Sequence, residues 1–508
     1  MNSVPPVSTP GETERLARAQ STMAVACGYG HTLWMGGEGK KLFACGRGGH
    51  GQLGQGAYQH RRAVGPVVGL AEALGDARVT MVAAGGDHSA ASTTDGDVLT
   101  WGSDNFGQLG RCNTEGGVVL SKLGRHLFGG SAVTMVSCGG RHTIVLTEAG
   151  RIFTFGYAGH GQLGHGDRKN RAVPSEVKEF GGATSRFWPT FVAAGDSHSG
   201  TVTLEGCVFT WGSGEFGQLG HSNEEDQLWP RKLASSFNAV MLAAGGAHSM
   251  VVTTDGALWG WGWGEYGQLG LGTYADTRVP ARVGGSGAFG QCKVVMAACG
   301  SCHTMAVTED GGLWSWGYGA GGLLGHGHHR NCVVPVRVES ERFVGATMVT
   351  AACGVDHSAA ITGDGGLYTW GRGTPYPGSK EPTGLGHENL EDILVPTLVR
   401  PHGLYGECCH PLPRLHALAF AMGTHSRLGA GGLRPGGAGG RKVQREEGVE
   451  LSEEGSRCVV FSLAGEPGLV QMVVGACKGW PSDSAKGTEG LVRLMGGGRF
   501  RRRMDMKL

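Results

Sequence analysis

The sequence has almost no net charge, few charged side chains and no long apolar run. Its 508 residues carry 44 basic and 43 acidic side chains, so the formal net charge at pH 7 is +1. This balance gives no global field that would draw the whole chain onto nucleic acid or an acidic membrane. No apolar run of about 18 residues, the length that spans a membrane, occurs. Residues 1–20 also lack the apolar segment of a secretory signal. We therefore expect neither membrane insertion nor export.

Cysteine is sparse as well, with 14 residues in the whole chain. This content is too low for a small scaffold held together by disulfide bonds. We therefore expect a reducing compartment, which means the cytoplasm, the nucleus or both.

Glycine, by contrast, is abundant at 96 residues, far above the usual share of about 7%. The glycines follow no Gly-X-Y period, so a collagen triple helix is excluded. Hydrophobic residues make up 40% of the chain, which is enough for a packed core. A folded protein with this composition needs many tight turns.

An internal repeat explains the glycines. The motif Gly-x-x-His-Ser/Thr occurs seven times, at intervals of between 50 and 57 residues, with its histidine at His31, His88, His142, His198, His248, His303 and His357. A glycine follows each histidine eight residues later, and a second glycine comes shortly after it. The residue before that second glycine is Trp101, Trp211, Trp261, Trp316 or Trp370 in five repeats, Cys45 in the first and Phe155 in the third. Gly-Gln-Leu-Gly and a Pro-x-x-Val element complete most units.

Each piece of the repeat predicts a structural element, as the second unit illustrates. Met81 to Ala84 is a short apolar strand, and His88 to Ser92 begins the next one. Thr94 to Gly96 is a hairpin turn, Val98 to Trp101 is a third strand, and Gln108-Leu109 opens a fourth. Seven units of four short antiparallel strands predict an all-β, seven-bladed β-propeller. The tryptophans are expected to fill the wedges between neighbouring blades.

These motifs resemble those of the regulator of chromosome condensation family, over residues 24 to about 399. The expected organisation is an N-terminal tail at 1–20, the propeller at 21–400, a short helix packing on it at 401–426, and a glycine-rich linker and poorly ordered tail at 427–508. The segment Pro396 to Val399 has no later blade to join, so we expect it to return to blade one and close the ring.

Several other motifs match functional signatures without their structural context. Gly46-x-Gly48-x-x-Gly51 matches a dinucleotide fingerprint, but no helix follows it, so no cofactor is expected. The repeat histidines sit in separate blades, so they do not converge on a metal, and we expect each to bond to backbone within its own turn. Cys299-x-x-Cys302-His303 lacks a second cysteine pair. A Ser or Thr beside a His recurs in every blade, which is not typical of a single catalytic nucleophile. We therefore expect neither a metal nor catalysis.

One end of the ring is the predicted partner surface. In a four-strand meander the first and third connections lie at the same end, and here they carry varied charged and aromatic residues. The candidates are Asp87, Asp104, Phe106, Asp196, Glu215, Phe216, Glu265, Tyr266 and Asp356. An expanded loop in the seventh repeat, Arg372 to Thr383, adds Tyr376 and Lys380. Exposed aromatic and charged groups on a rigid ring predict a protein partner rather than a small-molecule substrate. We expect a monomer.

The resemblance leaves two functions open. The first is a non-catalytic protein-binding scaffold or adaptor. The alternative is a guanine nucleotide exchange factor for a Ran-like small GTPase, associated with chromatin, because the founding member has that role and presents Asp residues from its Gly-x-x-His loops. Asp196 matches such a loop, whereas no wedge-like insert interrupts repeats two to six.

A third activity of the family is not expected here. The plant UV-B photoreceptors carry Trp two places before many of the repeat histidines. Here those places hold Tyr29, Gly86, Gly140, Asp196, Gly246, Ser301 and Val355. No tryptophan cluster forms from these residues, so the resemblance does not predict photoreception.

Overall fold

The protein is an all-β, seven-bladed propeller, as the repeat predicts. The computed structural model describes residues 25–112, 117–181, 186–235, 237–285, 287–339, 341–343, 346–375 and 378–399. The strands form seven four-stranded antiparallel sheets, each built from four strands that are consecutive in the chain. We number these sheets blades one to seven in chain order. The predictions for residues 1–20, 401–426 and 427–508 concern parts of the chain outside the described residues.

The strands occupy equivalent positions in every blade, from the axis outward. The innermost strands are β1 (Val25–Cys27), β5 (Val79–Ala84), β9 (Val133–Cys138), β13 (Pro189–Ala194), β17 (Ala239–Ala244), β21 (Val294–Cys299) and β25 (Met348–Cys353). The second strands are β2 (His31–Gly36), β6 (His88–Thr93), β10 (His142–Thr147), β14 (His198–Thr203), β18 (His248–Thr253), β22 (His303–Thr308) and β26 (His357–Thr362). The third strands are β3 (Lys41–Gly46), β7 (Val98–Gly102), β11 (Ile152–Gly156), β15 (Val208–Gly212), β19 (Leu258–Gly262), β23 (Leu313–Gly317) and β27 (Leu367–Gly371). The outer strands are β4 (Arg61–Pro66), β8 (Gly117–Leu123), β12 (Arg171–Val177), β16 (Gln227–Lys232), β20 (Thr277–Arg282), β24 (Cys332–Arg337) and β28 (Ile393–Leu398).

Helical structure in the described part of the chain is confined to short pieces. A single α-helical turn covers Leu70–Leu74, and 3₁₀ turns cover Gly37–Gly39, Arg125–Phe128, Ala320–Gly322 and Glu341–Phe343. None of the described helices has the length and apolar character needed to cross a membrane.

The predicted position of the fourth strand was wrong. Gln108 and Leu109 lie in a turn, and the outer strand is the later Pro-x-x-Val region, as in β12 and β28. The Gln108 side chain explains the error, because its Oε1 accepts the backbone N–H of Phe106 at 2.9 Å and so stabilises a loop instead of a strand.

The predicted ring closure was also wrong. Pro396 lies in β28, which pairs with β27 of its own blade in the register Tyr368↔Leu398 and Thr369↔Thr397. Blade one already has four strands of its own, so no strand crosses over to it. The ring closes instead through direct contacts between blades seven and one, since β1 contacts both β25 and β26. Val25 and Cys27 share a buried cluster with Cys353 and Ala359 of blade seven.

The propeller has two distinct ends. The Gly-x-x-His loops and the connections from third to outer strand lie at one end, which we call the loop face. The hairpins between second and third strands lie at the opposite end, the hairpin face. At the loop face the two kinds of loop are joined, because the backbone N–H of Ser103 donates to the carbonyl of Asp87 at 2.8 Å. Gly102 permits this approach through its φ of +106°, and a Cβ there would lie 2.6 Å from that same carbonyl oxygen.

The repeat tryptophans join neighbouring blades. All five are fully buried. Each indole N–H donates to a backbone carbonyl in the loop of the preceding blade, as Trp211 does to Gln162 at 2.9 Å. Cys45 takes the same position in blade one, and its Sγ contacts the Gly384 carbonyl of blade seven at 3.3 Å. In these six blades the wedge position therefore combines burial with one directed hydrogen bond, whereas Phe155 fills it in blade three by burial alone.

Candidate functional site

The seven repeat histidines form a closed ring of side-chain hydrogen bonds rather than a reactive site. Each Nε2 atom bonds to the hydroxyl that follows the histidine of the next blade. The pairs are His31–Ser89 (3.0 Å), His88–Thr143 (3.0 Å), His142–Ser199 (2.8 Å), His198–Ser249 (3.0 Å), His248–Thr304 (3.0 Å), His303–Ser358 (2.8 Å) and His357–Thr32 (2.8 Å). The prediction of a bond within each histidine's own turn was therefore wrong, because the ring reaches across to the neighbouring blade.

The hydroxyl groups determine which ring nitrogen of each histidine carries the proton. Ser89 Oγ donates to the Gln52 carbonyl at 2.8 Å, and the other six hydroxyls donate to equivalent carbonyls. A hydroxyl that donates its only proton can only accept from the imidazole, so the proton is assigned to Nε2. Burial lowers the histidine pKa from 6.5 to about 3, or to about 4 for His198. The histidines are therefore neutral structural donors. In the described residues, no group of three or more His, Cys, Asp or Glu side chains converges as metal ligands would.

At the loop face, Tyr29 crosses the axial opening. Its hydroxyl, from blade one, donates to Asp196 Oδ1 of blade four at 2.8 Å. Gly86 and Gly140 of the intervening blades make room for it. A Cβ on Gly86 would lie 2.8 Å from the Tyr29 ring, and one on Gly140 would lie 3.0 Å from its hydroxyl. Tyr29 is consequently buried, and one oxygen of the partner candidate Asp196 is already engaged.

A continuous arc of aromatic side chains runs along the loop face from blade four to blade six. The ring centroids of Phe216 and Trp263 are 5.6 Å apart, those of Trp263 and Tyr266 are 5.2 Å apart, and those of Tyr266 and Tyr318 are 4.7 Å apart. We call these four residues the aromatic arc. Their tilted and edge-to-face geometries are those in which aromatic pairs attract. Three of the four rings are half-buried, and Trp263 is covered by its neighbours.

The loops that carry the arc are held by their own side chains. The backbone N–H groups of Phe216 and Tyr266 donate to the Oε1 atoms of Gln218 and Gln268, at 2.8 and 2.9 Å. Further along these loops, Asp226 and Asp276 accept the N–H groups of Gly214 and Gly264, at 3.1 and 2.8 Å. The rings are therefore presented on loops whose shape is set before any partner arrives.

Charged groups extend the arc into blades seven and one. The Arg372 guanidinium lies over the Tyr318 ring at 5.6 Å and bonds to its hydroxyl at 3.1 Å. Arg372 also pairs with Asp356 at 3.4 Å, and Arg47 of blade one pairs with Glu381 at 3.1 Å. Burial raises the pKa of Asp356 to about 6, although the charges of Arg372 and Arg47 oppose this effect.

Two carboxylates lie beside the arc in blades four and five. Glu215 and Glu265 are both exposed, and Glu265 Oε2 accepts the indole N–H of Trp263 at 3.3 Å. Burial raises the pKa of Tyr266 to about 12, with smaller contributions from Cys302, Tyr318 and Glu265. Tyr266 therefore stays protonated, and its ring is an aromatic surface beside the Glu265 carboxylate.

Blades two and three carry a separate group of candidates. The rings of Phe106 and Tyr157 meet edge to face at 5.0 Å, and the Arg141 guanidinium covers Phe106 at 5.1 Å. Asp87 is half-buried, accepts from Gln52 Nε2 at 3.2 Å and lies 3.9 Å from His50.

The prediction of Asp104 as a partner-binding residue was wrong, because the residue is buried, with only 1% of its surface exposed. Its Oδ1 accepts the backbone N–H of Leu109 at 2.9 Å, and its Oδ2 lies 3.7 Å from Arg111. Burial raises its pKa to about 6, against the lowering effects of the Leu109 N–H and Arg111. Asp104 therefore stabilises its own loop.

Two candidates belong to the expanded loop of blade seven. Lys380 is exposed, whereas Tyr376 lies outside the described residues. The neighbouring Glu381 holds the loop against blade one through Arg47.

Sequence reasoning missed Trp263, Tyr318 and Arg372. All three follow the Trp-Gly pair directly, a place that also holds Arg47, Ser103, Tyr157 and Ser213. The variation at this position was a usable signal, because a repeat residue that differs from blade to blade is free of the constraint that fixes the blade.

The comparisons with known proteins agree with this architecture. Two overlapping stretches, residues 2–287 and 189–424, match the RCC1-like domain family. The ultraviolet-B receptor UVR8 of Arabidopsis thaliana is 36% identical over 353 residues, which cover 69% of this chain and 65% of the receptor. The human E3 ubiquitin-protein ligase HERC2 is 32% identical over 372 residues, covering 71% of this chain and 6% of the ligase. The chain thus spans less than two thirds of the length of either relative.

Solved structures share the fold. Human WBSCR16 is 27% identical with a TM-score of 0.59, covering 67% of this chain and 86% of that one. Prp20p from Saccharomyces cerevisiae, whose structure was described with its binding to Gsp1p and histones, is 23% identical with a TM-score of 0.61 and covers 76% and 89%. With its seven blades and the family match across both halves of the ring, the chain belongs to the RCC1-like domain family.

Proposed function

We propose that this chain is a non-catalytic scaffold or adaptor that binds a protein partner on its loop face. The observation that carries the proposal is the aromatic arc with its charged neighbours, Glu215 and Glu265 in blades four and five and Arg372 over Tyr318. Aromatic and arginine side chains dominate the binding energy of protein interfaces. Carboxylates and guanidinium groups around them add specificity and orientation.

The rigidity of the site supports recognition. Ordering flexible side chains and loops on binding costs free energy, and a pre-shaped surface reduces that cost. Here Gln218 and Gln268 already fix the loops, and ring-to-ring contacts already fix Phe216 and Tyr266. We propose that the partner is met in the cytoplasm or nucleus and that the free chain is a monomer.

Nucleotide exchange on a Ran-like small GTPase, with chromatin association, is the second candidate. It relies on acidic side chains of the Gly-x-x-His loops. Asp196 accepts a hydrogen bond from Tyr29, and Asp356 is paired with Arg372, so both are partly engaged within the chain. We rank exchange second for this reason. Release of fluorescent mant-GDP from purified Ran, measured with and without the protein, tests it directly.

A matched pair of double variants tests the scaffold proposal. Glu215→Ala/Phe216→Ala removes an exposed carboxylate and a half-buried apolar side chain from the loop face. Leu204→Ala/Glu205→Ala removes exposed side chains of the same two kinds from the hairpin face. Partners captured by proximity labelling with the wild type should be lost with the first variant and kept with the second. Loss with the second variant alone would place the interface on the hairpin face.

A further inference from the structure

At the loop face of blade two, an aromatic ring is covered by an arginine of the next blade. Phe106 is the residue directly before Gly-Gln-Leu-Gly in blade two, and Arg141 directly precedes the histidine of blade three. The Arg141 guanidinium lies 5.1 Å from the Phe106 ring centroid. The same pair of positions meets again between blades one and two, where His50 lies 3.9 Å from Asp87.

The equivalent rings in blades four and five have no such cover. Phe216 and Tyr266 occupy the Phe106 position, but the residues in the Arg141 position of the next blade are Ala247 and Cys302. Among the described residues, cations lie over the rings of Phe106, Phe153, Phe187 and Tyr318, and none lies over Phe216 or Tyr266. Both rings are half-buried, so part of each remains accessible.

Carboxylates appear at the same two blades and not at their counterparts. Glu215 and Glu265 directly precede the two rings, whereas the equivalent residues in the other blades up to the sixth are Gly49, Asn105, Gly159 and Ala320. Both glutamates are exposed, and within the described part of the chain neither forms an ion pair. Blades four and five thus combine partly exposed aromatic rings with two glutamates that form no ion pair within the described residues.

We infer that this part of the loop face receives an arginine side chain of the partner, which stacks on Phe216 or Tyr266 and pairs with Glu215 or Glu265. The inference rests on the proposed function and deepens it, since it makes the docking segment of the partner basic. A guanidinium fits better than an ammonium because it is planar, stacks on aromatic faces and binds a carboxylate through two N–H groups. Within the chain, a phenylalanine ring accepts a guanidinium where Arg141 lies over Phe106. A tyrosine ring does so where Arg372 lies over Tyr318.

The test uses a defined probe rather than an unknown partner. A fluorescein-labelled, amidated peptide Gly-Arg-Gly-Arg-Gly is titrated with the full chain, and binding is followed by fluorescence anisotropy. Two matched peptides carry lysine or citrulline in place of arginine. We expect the arginine peptide to bind more tightly than the lysine peptide and the citrulline peptide to bind least. Equal binding of all three, or preference for lysine, would overturn the inference.

Variants locate the site. Glu215→Gln/Glu265→Gln should weaken binding of the arginine peptide by about fivefold, the size expected for losing exposed charge pairing beside an aromatic ring. Glu72→Gln/Glu179→Gln removes two exposed carboxylates from the hairpin-face connections and should leave the affinity unchanged. Equal weakening by both double variants would mean that only diffuse charge attracts the peptide, and the inference would fail.

An arginine supplied by the chain itself gives a second, independent variant. Ala247→Arg puts an arginine at the position equivalent to Arg141, next to Phe216. This arginine should stack on the Phe216 ring, so peptide binding should fall without any carboxylate being removed. Unchanged binding would contradict the stacking on Phe216. The partner-capture experiment tests the proposed function separately. If capture requires the loop face but these variants do not change peptide binding, the proposed function stands and only the arginine inference is refuted.

Discussion

The Nε2 atom of His357 in blade seven lies 2.8 Å from the Oγ1 atom of Thr32 in blade one. This hydrogen bond joins the last repeat to the first and completes the circle of seven. Thr32 Oγ1 also donates to the Gly384 carbonyl at 2.6 Å, so one hydroxyl serves two groups of blade seven. The ring therefore closes with the same contacts that join every other pair of blades.

Thr32→Val should weaken this closure. The variant keeps the side-chain volume but leaves the His357 N–H buried without its acceptor. It also removes one of the two donors to the Gly384 carbonyl, which keeps only the Cys45 thiol. Each unsatisfied buried group costs about 1–3 kcal/mol, so the free energy of unfolding should fall by at least that amount. Urea denaturation measures the change, with Thr273→Val, at an exposed position, as the control. Equal effects of the two substitutions would show that the bond contributes nothing to closure.

The histidine ring should make the fold sensitive to acid. The histidines bind protons in the unfolded chain below a pKa near 6.5 but resist protonation in the folded chain until pH 3 to 4. Their contribution to stability is therefore complete above pH 6.5 and is lost as the pH falls, by about 1.4 kcal/mol per pH unit for each histidine. Asp104 and Asp356, whose pKa values are raised to about 6, act in the opposite direction between pH 4 and 6.

Seven histidines outweigh two carboxylates, so the melting temperature should fall steeply between pH 7 and pH 5. Differential scanning calorimetry across this range measures the effect. A melting temperature that stays level or rises on acidification would mean that the histidines are not held neutral by the fold.

The wedge tryptophan Trp211 should be essential for packing between blades three and four. It is fully buried, so Trp211→Ala should cost about 3–5 kcal/mol, and the Gln162 carbonyl also loses a donor. Trp229→Ala is the matched control, because Trp229 is 56% exposed on the outer strand of blade four. We expect the control to cost less than about 1 kcal/mol. Similar losses in the two variants, measured by chemical denaturation, would contradict the wedge role.

The bridge from Tyr29 to Asp196 depends on glycine at position 140. In Gly140→Ala the new Cβ would lie 2.6 Å from Asp196 Oδ1 and 3.0 Å from the Tyr29 hydroxyl, so the bridge should open. The freed Tyr29 ring should become accessible to water, which collisional quenching of tyrosine or the reactivity of Tyr29 toward a tyrosine-modifying reagent reports. Gly49→Ala is the control, since its Cβ would meet nothing closer than 3.5 Å. An unreactive Tyr29 in the Gly140 variant would show that the bridge does not cover it.

The fold was predictable because its determinants lie within one repeat. The spacing of His88, Gly96 and Trp101 defines the inner three strands of a blade, and seven copies define the ring. The fourth strand and the closure were mispredicted because their partners lie elsewhere: Gln108 is used by its own loop, and Pro396 pairs inside blade seven. A short apolar stretch does not say which neighbour will pair with it.

The position of the candidate loops in the fold could be predicted from the sequence, but the contacts between their side chains could not. The meander puts the varied loops at one end, which correctly groups Phe216 with Tyr266. The contact of Phe216 with Trp263 and the stacking of Arg372 on Tyr318 join different blades, so no single repeat encodes them. Burial separates Asp104 from Glu215, although both are acidic residues of equivalent loops.

The location of the partner is the central claim, and site-specific photo-crosslinking tests it most directly. The photoreactive amino acid p-benzoylphenylalanine replaces Phe216 on the loop face in one protein and Leu204 on the hairpin face in another, and both are irradiated in cells. Our account predicts a discrete crosslinked partner from position 216 and none from position 204. Crosslinking from position 204 with none from position 216 would contradict it.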